Sequence, residues 1–140
     1  MKAEPASIQL HIESRQGEES VRQQLQGTRF QKASALYLRY EESDPAMGQT
    51  MTTIKINETQ IKVIRHGDIE SEQVFEEQQS HSGYYQFAHG KLLLRTENVQ
   101  IRNELNEGKG SVAWSYDLYS EEQHVGHVDI QIHIQEDSQT

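Results

Sequence analysis

Apolar residues along this chain recur at every second position in short bursts, and the bursts are separated by Gly, Asn, Asp and Ser. A period of two marks strands with one buried face. Ile8, Leu10 and Ile12 alternate with Gln9, His11 and Glu13 up to Gln16-Gly17, and a weaker strand is expected over residues 19 to 30. Leu36, Leu38 and Tyr40 form the next face before Ser43-Asp44-Pro45 and Gly48 break the run. Thr52, Ile54 and Ile56 lead to a turn at Asn57-Glu58, and Ile61 and Val63 continue to the His66-Gly67-Asp68 turn.

The second half repeats the rhythm with longer strands. Residues 70 to 77 and 82 to 88 are expected to pair around Gln79 to Gly83, and His89-Gly90 turns the chain again. Leu92 and Leu94 share one parity whereas Val99, Ile101 and Leu105 share the other, so a bulge or tight turn near Glu97-Asn98 must reset the register. Val112, Trp114, Tyr116 and Leu118 give the plainest alternation, between Gly108-Lys109-Gly110 and Ser120-Glu121-Glu122. The last strand carries Val128, Ile130, Ile132 and Ile134, and off-parity Val125 places a second bulge at Gly126.

No window prefers the 3.6-residue period, and Ile and Val far outnumber Ala. The chain therefore reads as one all-β domain over residues 1–140. Many short strands with a single apolar face cannot stack as an open sheet without wet apolar area and long unpaired edges. Closure into an antiparallel meander barrel of eight to ten strands removes both problems. A two-sheet sandwich is the alternative, but its Greek-key crossings need longer connections than these tight turns.

Composition sharpens this picture. Leu, Ile, Val and Phe total 30 of 140 residues, close to the range in which a highly charged chain stays disordered, so their placement rather than their number argues for folding. The 13 Lys and Arg against 22 Asp and Glu give a formal charge of −9 and no basic cluster, which argues against nucleic acid as a partner. No apolar run approaches a membrane span; the stretch after Lys91 holds only Leu92, Leu93 and Leu94. Residues 1 to 9 lack the apolar segment of a secretory signal, so a cytoplasmic location is expected. Without cysteine there is no disulfide, thiolate nucleophile or cysteine metal site.

Several segments together resemble a known family. Leu36-Tyr37-Leu38-Arg39-Tyr40-Glu41-Glu42, Met51-Thr52-Thr53-Ile54-Lys55-Ile56, Arg65 before a glycine, Val74-Phe75, Tyr84-Tyr85 before Gly90-Lys91-Leu92, and Tyr116-Asp117-Leu118 are similar, in matching order, to the YwiB-like family of uncharacterised proteins from Bacillus-type bacteria. The resemblance implies a closed, lipocalin-like (calycin) β-barrel in the cytoplasm of a Gram-positive bacterium. It implies no activity and carries over no catalytic residues.

Candidate chemistry is sparse. His127, Asp129, Gln131 and His133 share an outer face; alternate residues lie ~6.6 Å apart, so His127 and Asp129 could share an ion while His133 is about 20 Å from His127. His124 or His127 could join His81 or His89 from neighbouring strands, yet nothing in the spacing requires it, and the reading is no metal and no cofactor. Ser, His and Asp occur without a nucleophile motif, and Glu41, Glu42 and Asp44 read as a charged hairpin end, so no catalytic residue is assigned. Gly108-Lys109-Gly110 reads as a turn rather than a phosphate loop.

Tyr40, Trp114 and Tyr116 fall on the parity of the core aliphatics, which brings hydroxyl and indole donors inside a barrel where they need partners. Lys55, Arg65 and Arg95 would join them if local bulges turned them inward. These three aromatics are the expected contacts for a small, partly apolar ligand, although the pattern fits a packed interior equally well. The alternative is a solid interaction module. Off-parity Tyr37, Ile64, Leu93 and Tyr119 would then form an outer apolar patch for a protein partner or a homodimer.

Overall fold

Each apolar burst becomes a strand with its aliphatic side chains on the inner face. In the strand from Thr50 to Ile56, for example, Thr50, Thr52, Ile54 and Ile56 are buried and the residues between them are half-buried. The structure, a computed structural model, describes residues 5–137. Ten strands run in order: β1 (Ala6–Gln16), β2 (Glu19–Lys32), β3 (Ala35–Glu41), β4 (Thr50–Ile56), β5 (Gln60–Gly67), β6 (Glu70–Glu76), β7 (His81–Phe87), β8 (Gly90–Asn106), β9 (Lys109–Ser120) and β10 (Gln123–Glu136).

Consecutive strands pair antiparallel and β10 returns to β1, so the meander closes as a barrel rather than splitting into a sandwich. Connections alternate between its two ends. We call upper the end carrying the β1–β2, β3–β4, β5–β6, β7–β8 and β9–β10 connections. The lower end carries the others together with the start of β1 and the finish of β10.

Both parity changes in the sequence are bulges. The β8–β9 register shifts between Glu97 and Gln100, with Asn98 in the left-handed region at φ 54°, so Thr96 and Val99 are both buried within one continuous strand. The β10–β9 register shifts between His124 and Gly126, leaving Val125 as the extra residue. The two bulges flank β9 a short step apart, the β8 bulge opposite Tyr116 and the β10 bulge between Leu118 and Tyr119.

The middle of the barrel is filled. Ile8, Leu10, Leu38, Ile54, Ile61, Val112, Ile132 and Ile134 are buried on the inner wall. Phe75 crosses from β6 to β9, with ring centroids 4.5 Å from Tyr116 and 5.7 Å from Trp114. Beside it the Thr96 hydroxyl donates to the Val74 carbonyl at 2.7 Å, joining β8 to β6 past short β7. Trp114 is therefore a packing element on two sides, and Trp114→Ala is expected to lower the unfolding free energy by about 3–5 kcal/mol. Chemical denaturation followed by circular dichroism measures this; an unchanged midpoint would contradict the packing described.

Candidate functional site

One row of inner-face residues near the upper end is polar. Reading across β3 to β7, Tyr40 pairs with Thr52, Thr52 with Arg65, Arg65 with Ser71 and Ser71 with Tyr85, and Leu92 on β8 completes the row. The rows beneath it are mostly apolar, running Leu38, Ile54, Val63 and then Gln73, and below that Leu36, Ile56, Ile61 and Phe75. Polarity is thus concentrated at one level, with Gln73 and Thr96 the polar inner residues beneath it.

Arg65 reaches this row without a bulge. It continues the parity of Ile61 and Val63, so the regular β5 ladder itself turns it inward. No bulge turns Lys55 or Arg95 inward, and both stay on the outer wall. Lys55 lies 5.9 Å from the Tyr37 ring, and Arg95 lies over the Tyr119 ring while pairing with Glu97 and Glu122.

Glu42 continues the parity of Tyr40 just past β3, and its side chain is only 6% exposed. Its carboxylate accepts from Thr52 Oγ1 at 2.5 Å and from Arg65 Nε at 3.4 Å. The reading of Glu42 as part of a solvated hairpin end is therefore corrected: an inward partner for Arg65 holds it inside. Glu41 is exposed, and Asp44 accepts from the Ala46 amide at the start of a short 3-10 turn, Pro45–Met47.

Around this pair stand the two inward tyrosines. Burial, and next the Glu42 carboxylate, push the Tyr40 phenol well above its ordinary range, against a smaller opposing pull from Arg65. Burial pushes Tyr116 up to about 12, opposed by Arg65 and a hydrogen bond with Gln73. Both are neutral phenols at neutral pH, able to donate but not to serve as bases. Trp114 is separated from the pair by Phe75, and its Nε1 has no partner. Ser71 Oγ, opposite Arg65 in the ladder, is likewise buried and unpartnered.

The upper end is closed on one side by two stitched loops. The Asp68 amide donates to the Gln49 carbonyl at 3.0 Å and the Gln49 amide to Asp68 Oδ2 at 2.9 Å, while Thr50 Oγ1 donates to the Met47 carbonyl and accepts from the Ile69 amide. Gly48 has φ 61° and a side chain there would meet Asp68; Gly67 has φ 140° and a Cβ would fall 2.1 Å from the Gln49 carbonyl. Met47 reaches inward from this cap to the Tyr85 hydroxyl. Elsewhere at this end Val21, Leu92 and Val125 are exposed.

The outer wall holds two grooves. One of about 590 Å³ runs over β8, β9, β10 and β1 with charged residues that include Glu13, Arg15, Arg102 and Asp129; the other, about 520 Å³, lies beside His11 and His133 on β1 and β10. Of the outer residues expected to form an apolar patch, Tyr37 stacks on Phe30, Tyr119 sits under Arg95, and Ile64 and Leu93 are separated in their row by Glu72 and Tyr84. Asp117 on β9 accepts from Asn98 in one bulge and pairs with His127 beyond the other, at 2.8 and 3.0 Å, and His127 also faces Asp129. Among the described residues no group of three or more such side chains is placed to hold a metal ion.

Two predictions follow from these pairs. Arg65→Met leaves the Glu42 carboxylate buried without its partner and is expected to cost ~2–3 kcal/mol, discounted from a fully buried pair because Arg65 is 22% exposed. The double change with Glu42→Gln is expected to recover most of that loss in a denaturation cycle. For the outer pair, the hydrogen bond with Asp117 holds His127 above its ordinary 6.5, and Asn98 and then His127 hold Asp117 below its ordinary 3.8. The His127 contribution is full below pH 6.5 and lost as pH rises through its raised value; that of Asp117 is present above pH 3.8 and lost as pH falls through its lowered value. An NMR titration should show His127 above 6.5, returning toward it in Asp117→Asn.

Comparison with known proteins places this barrel in a family. The chain is 31% identical over 122 residues, 85% of its length and 84% of the relative's, to the uncharacterized beta-barrel protein YwiB of Bacillus subtilis (strain 168). The crystal structure of the ywiB protein from Bacillus subtilis superposes with a TM-score of 0.76 at 23% identity, covering 96% of this chain and 94% of that one, which shows the shared fold. Residues 7–132 match the domain of unknown function DUF1934, and the chain belongs to that family.

Proposed function

We propose that this protein is a non-enzymatic, cytoplasmic binding protein that takes a small, partly apolar molecule into the upper end of its barrel. The observation that carries the reading is the Arg65–Ser71 pair. Arg65 commits only Nε to a protein partner among the described residues, so its two terminal nitrogens remain as donors, and the Ser71 hydroxyl beside it is buried with none. A buried hydroxyl without a partner is costly, and a ligand oxygen beside the part-exposed Arg65 guanidinium would satisfy Ser71. Tyr40 and Tyr116 add neutral hydroxyls, Trp114 lies below behind Phe75, and Tyr85, Leu92 and Leu118 supply apolar wall.

Charge narrows the ligand class. Glu42 already balances Arg65, so an anionic head group would bring a second negative charge into a desolvated site with one cation. An uncharged carbonyl or amide attached to an apolar body fits better. The neutral phenols and the lack of a placed nucleophile favour binding over catalysis.

A second reading, a solid module that docks a protein through its outer wall, is favoured by the packed centre around Phe75. Trp114 is the only tryptophan, so its emission discriminates between the two without a label. Apolar ligands of matched size ending in an amide or a carboxylate are expected to change that emission saturably, the amide more tightly, with Arg65→Gln weakening binding by about tenfold. No change up to millimolar ligand, together with no retained molecule in native mass spectrometry of protein purified from its host, would replace this reading with the module.

A further inference from the structure

The barrel closes, but not along its whole height. β2 spans Glu19–Lys32, whereas its ladder with β3 covers only Thr28–Lys32 against Ala35–Arg39. From Glu19 to Gln26 the strand pairs with β1 alone, in a regular register without a shift. Its other edge therefore presents a row of backbone donors and acceptors to solvent over eight residues. Natural edges are blunted by proline, lysine or a bulge. This one has no proline, lysine or bulge; its charges are Glu19 at the rim and Arg22, which is held by Glu13 on β1, and Val21 on its inner-face parity is 57% exposed.

We infer that this edge pairs with the same edge of a second copy, extending the β-sheet across a two-fold axis. An axis perpendicular to a sheet brings identical strands together antiparallel with the same faces aligned, and the sequence of the edge selects the register. With Gln23 on the axis, Val21 meets Leu25 of the other copy twice on the inner face. Outside, Arg22 meets Gln24 and Ser20 meets Gln26. Moving the axis to Arg22 sets Arg22 against itself, and moving it to Gln24 puts Val21 opposite Gly27 and Leu25 opposite Gln23. Of these three registers, the Gln23 one alone pairs apolar with apolar and avoids like charges.

Charge points to the same place. Glu19 and Arg22 leave the edge itself neutral within a chain of −9, so the edge adds no net charge of its own to the repulsion between two copies. The remaining repulsion is long-range and screened, so association strengthens as salt is added. The observation is independent of the interior site: the dimer stands or falls without any ligand.

The absence of cysteine makes the register testable with a single introduced thiol. Directly opposed Cβ atoms lie about 4.5–5.5 Å apart, within disulfide reach. Gln23→Cys is expected to form a covalent dimer rapidly under mild oxidation, whereas Leu93→Cys, 57% exposed on the outer wall, is not. Sedimentation equilibrium of the unaltered chain is expected to show a monomer–dimer equilibrium that tightens with salt, and Val21→Lys to weaken it by at least about tenfold. A chain that stays monomeric into the millimolar range, equal cross-linking at the two cysteine positions, or a dimer indifferent to Val21→Lys would overturn the proposal.

Discussion

Closure of β1 against β10 is the constraint on which the rest of this structure depends. Ile8 to Gln16 pair with Glu136 to Val128, joining the two ends of the described chain and turning a row of hairpins into a wall with an inside. Without that ladder both strands would expose long edges, and Ile8, Leu10, Ile132 and Ile134 would lose an enclosing wall. Every inner position, including the polar row near the upper end, acquires its environment only because the sheet has closed on itself.

Within the wall, two different demands meet at one level. Aliphatic rows and the Phe75 cluster fill the lower and middle barrel, where side chains from opposite walls touch. Just above, Glu42, Arg65, Thr52 and the two tyrosines form a set of mutually dependent polar groups. Buried polar groups are retained at a cost unless they satisfy one another. This set does so incompletely, since the buried Ser71 Oγ is left over. A spare hydroxyl beside a part-exposed guanidinium separates this level from the apolar core beneath.

Much of the fold was legible in the chain because strand parity is a local property. The alternations at Ile8–Ile12, Val112–Leu118 and Val128–Ile134 became inner faces, and the parity conflicts at Glu97-Asn98 and Val125-Gly126 became bulges. Tyr40, Trp114 and Tyr116 were placed inside by the same reasoning and are buried. Of the interior charges, Glu42 was read as a solvated hairpin end and Arg65 was brought inside only through a bulge, because each sits near a strand end, where solvation is the ordinary expectation. Yet the signal was present: Glu42 follows Tyr40, and Arg65 follows Val63, at the same two-residue step. What no local pattern contains is that these residues meet, since that depends on the register among β3, β4 and β5.

The bulges flanking β9 have a mechanical meaning. A bulge coils its strand more tightly than regular pleating allows, and two on either side of one strand bend the wall about β9. Asp117 sits at that bend, its two carboxylate oxygens tied to Asn98 on β8 and His127 on β10. The arrangement behaves as a strut across a curved shell. Neither neighbouring strand can uncoil at its bulge without releasing a contact to the same side chain, so the two bulges are tied to each other through Asp117.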